Sequence, residues 1–154
     1  MAIDFSYDQK TDLAYFTLTG SFDLEVWLRS AQTDRFTPAT FEIVDMRRCN
    51  LNTLGSMDLY KFTRYLRTAV ALGRLIAGKT AILVAAEGPL IYNPAHRVFH
   101  NFFILAREHE LPRDYQLFTF PNEAFKWLSI PNLATEHVRA LPIGDGSAAA
   151  AGKA

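Results

Sequence analysis

The chain predicts an α/β fold, a mixed β-sheet with an N-terminal antiparallel hairpin and parallel strands, flanked by about four helices. Three observations carry this expectation. The first twenty residues alternate with period two around a polar turn, short apolar runs of strand length recur later, and each later run is followed by a capped segment of helical periodicity.

Ile3 to Tyr7 and Leu13 to Thr19 read as two strands, the second alternating Leu13, Tyr15, Thr17 and Thr19 against Ala14, Phe16 and Leu18, with Asp8 to Asp12 as the turn. Ser21 is placed to cap a first helix from about Phe22 to Ala31, with Leu24, Trp27 and Leu28 on one face. Pro38 closes the following loop. Phe41 to Met46 is an apolar run of the kind buried on both sheet faces, and Ser56 is placed to cap a second helix reaching about Arg74. Leu59, Phe62, Leu66, Ala69 and Gly73 form its apolar stripe.

Gly78 precedes another strand, Thr80 to Ala85, and Glu87-Gly88-Pro89 makes a turn. Asn93-Pro94 opens a third helix that ends near His109, by capping and by proline at its first position. Tyr115 to Phe120 is the last strand, and Pro121-Asn122 starts a short fourth helix that ends around Ile130 before Pro131. From the third strand onward the alternation of strand and helix demands right-handed crossovers and parallel neighbours. One domain is expected over residues 1–131. The tail, 132–154, closes on GDGSAAAAGKA, which has nothing to bury and is expected to be mobile over its last ten or so residues.

Composition narrows the function classes. At 49% hydrophobic and 21% charged, the 154 residues suit a globule with a core rich in aromatic rings, twelve of them Phe. Sixteen basic and sixteen acidic residues cancel, so no global field favours nucleic acid or an anionic membrane. The single cysteine, Cys49, suits a reducing compartment, and MAIDFSYDQK lacks a charged start followed by an apolar core. No apolar run approaches the length of a membrane span. A cytoplasmic protein that does not span a membrane is the resulting expectation.

The stretch from Phe41 to Leu66 holds the expected recognition site: an apolar strand ending in Asp-Met-Arg, a polar loop, then an amphipathic helix. In open α/β sheets ligands and partners meet strand carboxyl ends and helix amino termini, where unpaired N–H groups point outward. Residues 47 to 79 carry seven bases against Asp58 alone, about +6, and helical spacing puts Arg64, Arg67 and Arg74 within a quarter of the circumference. That strip reads either as solvated helix surface or as a docking face for an acidic partner.

Other constellations are less complete. His96 and His100 share a helix face at metal-pair spacing, but the position after the first His is Arg97, no third ligand is evident, and no metal is expected. Asp45 reads either as a carboxylate that ties down the next loop and pairs with Arg47 or Arg97, or as a catalytic acid without a second group. Cys49 reads as a packing residue. Helix three, HRVFHNFFILA, carries more apolar surface than a sheet-packed stripe needs; either the fourth helix, through Phe125, Trp127 and Leu128, covers Phe99, Phe102 and Phe103, or an apolar ligand or second copy does. No glycine spacing suits a phosphate-cradling loop.

The VDMR strand end at Val44 to Arg47, GKTAILV at Gly78 to Val84, YNPAHRVF at Tyr92 to Phe99 and FTFPNEAFKWL at Phe118 to Leu128 stand in an order that resembles the SpoIIAA-like family. These are small STAS/SEC14-type domains related to anti-sigma factor antagonists, and the resemblance covers about residues 3 to 130. It implies a non-enzymatic module. In the antagonist branch an Asp-Ser-Ser-Gly loop is phosphorylated on its second Ser; the matching loop here is Asn52-Thr53-Leu54-Gly55, with Leu54, which lacks a hydroxyl, at the acceptor position. The kinship with lipid-transfer folds implies an apolar ligand as an alternative.

Two functions are therefore expected from different classes. The first is a regulatory module without cofactors that docks a protein partner through Arg47, Arg48, Asn52, Thr53, Ser56, Lys61, Arg64 and Arg67, flanked by Tyr92 and Arg97. The second is a carrier or sensor of a small apolar, lipid-like molecule held beside Phe99, Phe102 and Phe103, a face that also suits a homodimer. Nucleic acid is not an expected partner.

Overall fold

The hairpin forms where the alternation places it, with β1 (Ala2–Asp8) antiparallel to β2 (Leu13–Ser21). The structure is a computed structural model that describes residues 1–33, 35–86 and 94–131. Asp12 closes the turn in the left-handed region, φ 52°, and its carboxylate accepts the Tyr7 hydroxyl at 2.8 Å and the Thr40 N–H at 3.1 Å. The hairpin turn is thereby tied to the start of the third strand.

The remaining elements are α1 (Leu24–Gln32), β3 (Phe41–Asn50), α2 (Ser56–Ala71), β4 (Gly78–Leu83), α3 (Pro94–Glu108), β5 (Arg113–Phe118) and α4 (Pro121–Leu128). Several boundaries differ from the sequence expectation. Ser21 lies in the sheet opposite Asn50, and the cap of α1 is Asp23, whose carboxylate accepts from the Glu25 and Val26 N–H groups at 3.0 and 3.2 Å. Strand β3 continues past Met46 because Thr19, Gly20 and Ser21 go on pairing with Arg48, Cys49 and Asn50 beyond a bulge. Gly55, not Ser56, is the cap of α2, and the Asp58 carboxylate accepts the Gly55 N–H at 2.9 Å. Helix α2 stops at Ala71, where Gly73 takes φ 69° and the Arg74 N–H reaches back to the Ala69 carbonyl at 2.8 Å. Strands β4 and β5 each start two residues earlier than expected, since Gly78 and Lys79 pair with Arg113 and Asp114. The expected turn at 87–89, Asn93 and the tail lie outside the described residues.

The sheet order is β1-β2-β3-β4-β5, with only the first pair antiparallel. Consecutive parallel neighbours joined by right-handed crossovers send every crossover helix to the same side. Accordingly α1, α2 and α3 share one face, over Ala14, Phe16, Leu18, Met46, Ile82, Val84 and Leu117. Helix α4 follows the last strand and packs on the opposite face, over Leu13, Tyr15, Ile43, Ala81, Leu83 and Phe118. Alternation along each strand sorts the side chains between these two cores.

Two positions lock the strand starts together. A Cβ at Gly78 would run into the Thr40 carbonyl and sit against the Arg113 guanidinium, so only glycine allows β3 and β5 to approach β4 there. Arg113 is buried and uses all five N–H donors: on the Ala39, Thr40, Ile76 and Lys79 carbonyls and on the Thr80 hydroxyl, at 2.8 to 3.2 Å. It also pairs with Glu42 at 3.4 Å.

Candidate functional site

Helices α1 to α3 do not close completely on the sheet. Between them lies a cavity of about 440 Å³. Phe16, Leu18, Val44, Met46 and Ile82 form its floor, each pointing to the helix side by strand alternation. Leu24 and Trp27 of α1, Leu59, Phe62, Leu66 and Ala69 of α2, and Phe99 and Phe102 of α3 form walls and roof. Phe36, on the connection to β3, packs against Phe16 with ring centroids 5.0 Å apart and against Trp27 at 6.2 Å. Natural cores pack at crystal-like density with few voids larger than a water, so a space of this size is a built feature.

Exposed lining residues gather at one end. Thr33, Thr37, Pro38 and Arg74 are exposed, and all lie where helices finish and strands begin. The opening is thus at the strand amino ends, opposite to the loop that follows β3, where the sequence expectation placed recognition. The Asn50 to Ser56 loop is itself outward-facing, with Asn52, Thr53 and Ser56 exposed.

A polar row crosses the floor near the opening. Glu42, Thr80 and Tyr115 stand at one register on β3, β4 and β5, and all three line the cavity. The Thr80 hydroxyl accepts from Arg113 Nε at 2.9 Å and donates to Glu42 Oε2 at 2.9 Å. Burial pushes the Glu42 carboxyl up, against the opposing pull of Arg113 and Thr80. Burial, and then the neighbouring Glu42 charge, push the Tyr115 phenol up as well, so it stays protonated. Among the described residues the Tyr115 hydroxyl and the Trp27 indole N–H are buried without a hydrogen-bond partner.

Phe99 and Phe102, expected as an apolar ligand face, do line this cavity, whereas Phe103 packs beside them, half-buried. The fourth helix does not cover them. Phe125, Trp127 and Leu128 belong to the core on the other face of the sheet, and Phe102 instead meets Phe62 of α2 at 5.5 Å and Tyr115 at 5.0 Å. A single sequence holds no sign of which side a terminal helix takes.

The basic residues stand on three elements. Lys61, Arg64 and Arg67 are exposed on α2, Arg97 is exposed on α3, and Arg48 is exposed on β3. Arg67 Nη1 approaches His109 Nδ1 at 3.4 Å. Arg47 is held on the α4 side of the sheet by Asp45, with Nε to Oδ1 at 2.9 Å, Nη2 to Oδ2 at 2.7 Å and its own N–H to Oδ1 at 3.2 Å. The buried Tyr15 hydroxyl gives Asp45 a fourth bond at 2.8 Å. Burial alone would raise the Asp45 carboxyl, but Arg47 and Tyr15 more than offset it and hold it below the usual carboxylate range. The expected pairing of Asp45 with Arg47 is present, but both residues lie within β3 and Tyr15 is on β2, so the carboxylate ties strand to strand and not the loop that follows. Tyr92 lies outside the described residues.

His96 and His100 stack at 6.1 Å on α3. Asp45 points to the opposite side of the sheet, so the three groups weighed for chemistry do not converge on one cleft. Among the described residues no three His, Cys, Asp or Glu side chains form a group able to hold a metal. Cys49 is half-buried on the helix side, and burial pushes its thiol up, away from the reactive thiolate. No helix of the described residues is long and apolar enough to cross a membrane.

Neither a scan against protein-family models nor a search of curated proteins finds a match to this chain. Sequence periodicity marked most of the cavity's apolar walls as core positions, but Trp27, Phe36, Glu42, Thr80 and Tyr115 carried no spacing that joined them. Only the strand register brings the last three into one row.

Proposed function

We propose that this protein binds a small, largely apolar molecule between its sheet and helices α1 to α3, as a carrier or sensor of that molecule. The cavity carries the reading. Its volume of about 440 Å³ lies in the range of small-ligand sites, and its lining is dominated by aromatic and aliphatic side chains with a few polar groups near the opening. An apolar lining left in contact with water keeps the free energy that covering it would release, about 25 cal/mol for each Å². A bound apolar molecule recovers that energy. The kinship with SpoIIAA-like and lipid-transfer folds inferred from the sequence belongs to the same proposal.

Protein purified from its own host and sprayed under native conditions should show a bound species of small-molecule mass, recoverable by organic solvent extraction. Ala31 lines the cavity beside its opening and is half-buried, so Ala31→Trp should obstruct entry and reduce the bound fraction about tenfold at unchanged fold. A wild-type spectrum with only the bare chain mass, joined to an extract without any stoichiometric compound, would overturn the proposal.

A second reading, docking of an acidic protein on residues 50–67, is supported by a specific exposure. Met57 is 67% exposed and Tyr60 43% exposed on the same helix as Arg64 and Arg67, residue types enriched at interfaces. The double change Arg64→Glu and Arg67→Glu should abolish capture of such a partner from host lysate, and equal capture by both proteins would rule that surface out.

A further inference from the structure

We propose that the molecule held in the cavity is a single-chain amphiphile whose apolar chain lies along α2 and whose anionic head, a carboxylate or a phosphate, meets the Arg74 guanidinium at the opening. This rests on the cavity reading and adds the ligand's chemistry to it. The lining residues of α2 run from Leu59 to Ala69, and a helix of that length rises about 15 Å. Leu54 lines the far end before α2 begins, and Arg74 and Leu75 line the end where it has finished. The space is therefore long along one helix, and its lining ends in a charge at the opening.

Among the described residues that line the cavity, only Glu42 and Arg74 carry charge. Glu42 is answered within the protein: it pairs with Arg113 at 3.4 Å and accepts from the Thr80 hydroxyl at 2.9 Å. Arg74 differs. It is exposed, and no acid among the described residues pairs with it. Its backbone is fixed just past α2, by the Gly73 turn at φ 69° and by the Arg74 N–H on the Ala69 carbonyl at 2.8 Å. The charge also bears on the cavity wall: burial pushes the phenol of Tyr65, a lining residue, up, and Arg74 opposes that push. A cation thus stands between an apolar wall and water. An amphiphile suits that arrangement, because its chain leaves water inside the cavity while its head stays hydrated and gains a charge-assisted bond from the guanidinium. A cationic head would be repelled by Arg74, and an uncharged one would gain less than an anion does.

The test uses N-phenyl-1-naphthylamine, a neutral fluorescent probe, displaced at neutral pH by decanoate, decyl phosphate or 1-decanol, which are matched in chain length and differ in head group. The anion that displaces the probe from wild-type protein at the lower concentration names the head. In Arg74→Gln that anion should need a concentration about fivefold higher, and in Arg74→Glu about tenfold higher, with decanol and the probe itself unaffected. Arg74 is exposed, so both variants should melt as wild type does and their results are readable independently of folding. If neither anion displaces the probe, if neither variant weakens displacement by the anions, or if decanol loses as much as they do, the anionic head fails and the cavity reading stands. If wild-type protein does not bind the probe, the cavity reading fails and takes this inference with it.

Discussion

Replacing Arg113 by Met should destabilise the fold by on the order of 5 kcal/mol, the largest effect expected of any single substitution here. The guanidinium serves carbonyls from three separate segments, Ala39 and Thr40 before β3, Ile76 before β4, and Lys79 within β4, and it neutralises Glu42. Met matches the aliphatic length but leaves those buried acceptors unmet and the Glu42 carboxylate unpaired. Arg113→Lys should recover little, because an ammonium is a compact charge that cannot reproduce a planar fork of five donors. Urea denaturation of both variants checks this. A midpoint for Arg113→Met close to that of wild type would show that water replaces the network at low cost. Loss of this network also loosens the polar end of the cavity, so ligand retention should fall with stability.

The second large effect is expected at Asp45, on the other side of the sheet. Asp45→Ala removes the acceptor of three Arg47 bonds and strands the hydroxyl of Tyr15, which is 1% exposed, for a loss of about 3 to 5 kcal/mol. Asp45→Asn keeps one acceptor oxygen and should cost less. The pH dependence separates charge from shape. The folded-state carboxyl lies below its unfolded value of 3.8, so the folded state binds fewer protons there, and the stabilisation is present above that value and fades as pH falls through the lowered folded value. The wild-type advantage over Asp45→Ala should therefore be full near neutrality and shrink below about pH 4. Asp12, held low first by the Thr40 hydroxyl bond, adds acid sensitivity of the same sign in both proteins and cancels in the comparison. An advantage over Asp45→Ala that stays constant from pH 7 to pH 3 would overturn the charge-based account.

Particular residues show which parts of the fold local chemistry could announce. The period-two run through Leu13, Tyr15 and Thr17 marked β2, and the stripe through Leu59, Phe62, Leu66 and Ala69 marked α2, because side-chain direction repeats with the element's own geometry. Element ends were harder. Ser21 looked like a cap, yet the ladder to Asn50 claims it, and the strand Phe41 to Met46 runs on to Asn50 for the same reason: pairing partners, remote in sequence, decide where a strand stops. Asp45 was legible as the partner of Arg47, since that bond is local. Arg113 was not, since its acceptors come from residues 39 to 80.

Strand and helix order, the antiparallel hairpin followed by parallel strands, and the excess of apolar surface on α3 followed from the order of the residues alone, since periodicity and turn chemistry are properties of neighbours along the chain. Which face α4 covers, the alignment of Glu42, Thr80 and Tyr115 in one row, and the space left above Phe16 and Ile82 were decided only by tertiary structure. Those depend on register and on how three helices share one side of a twisted sheet, distances that no local pattern encodes.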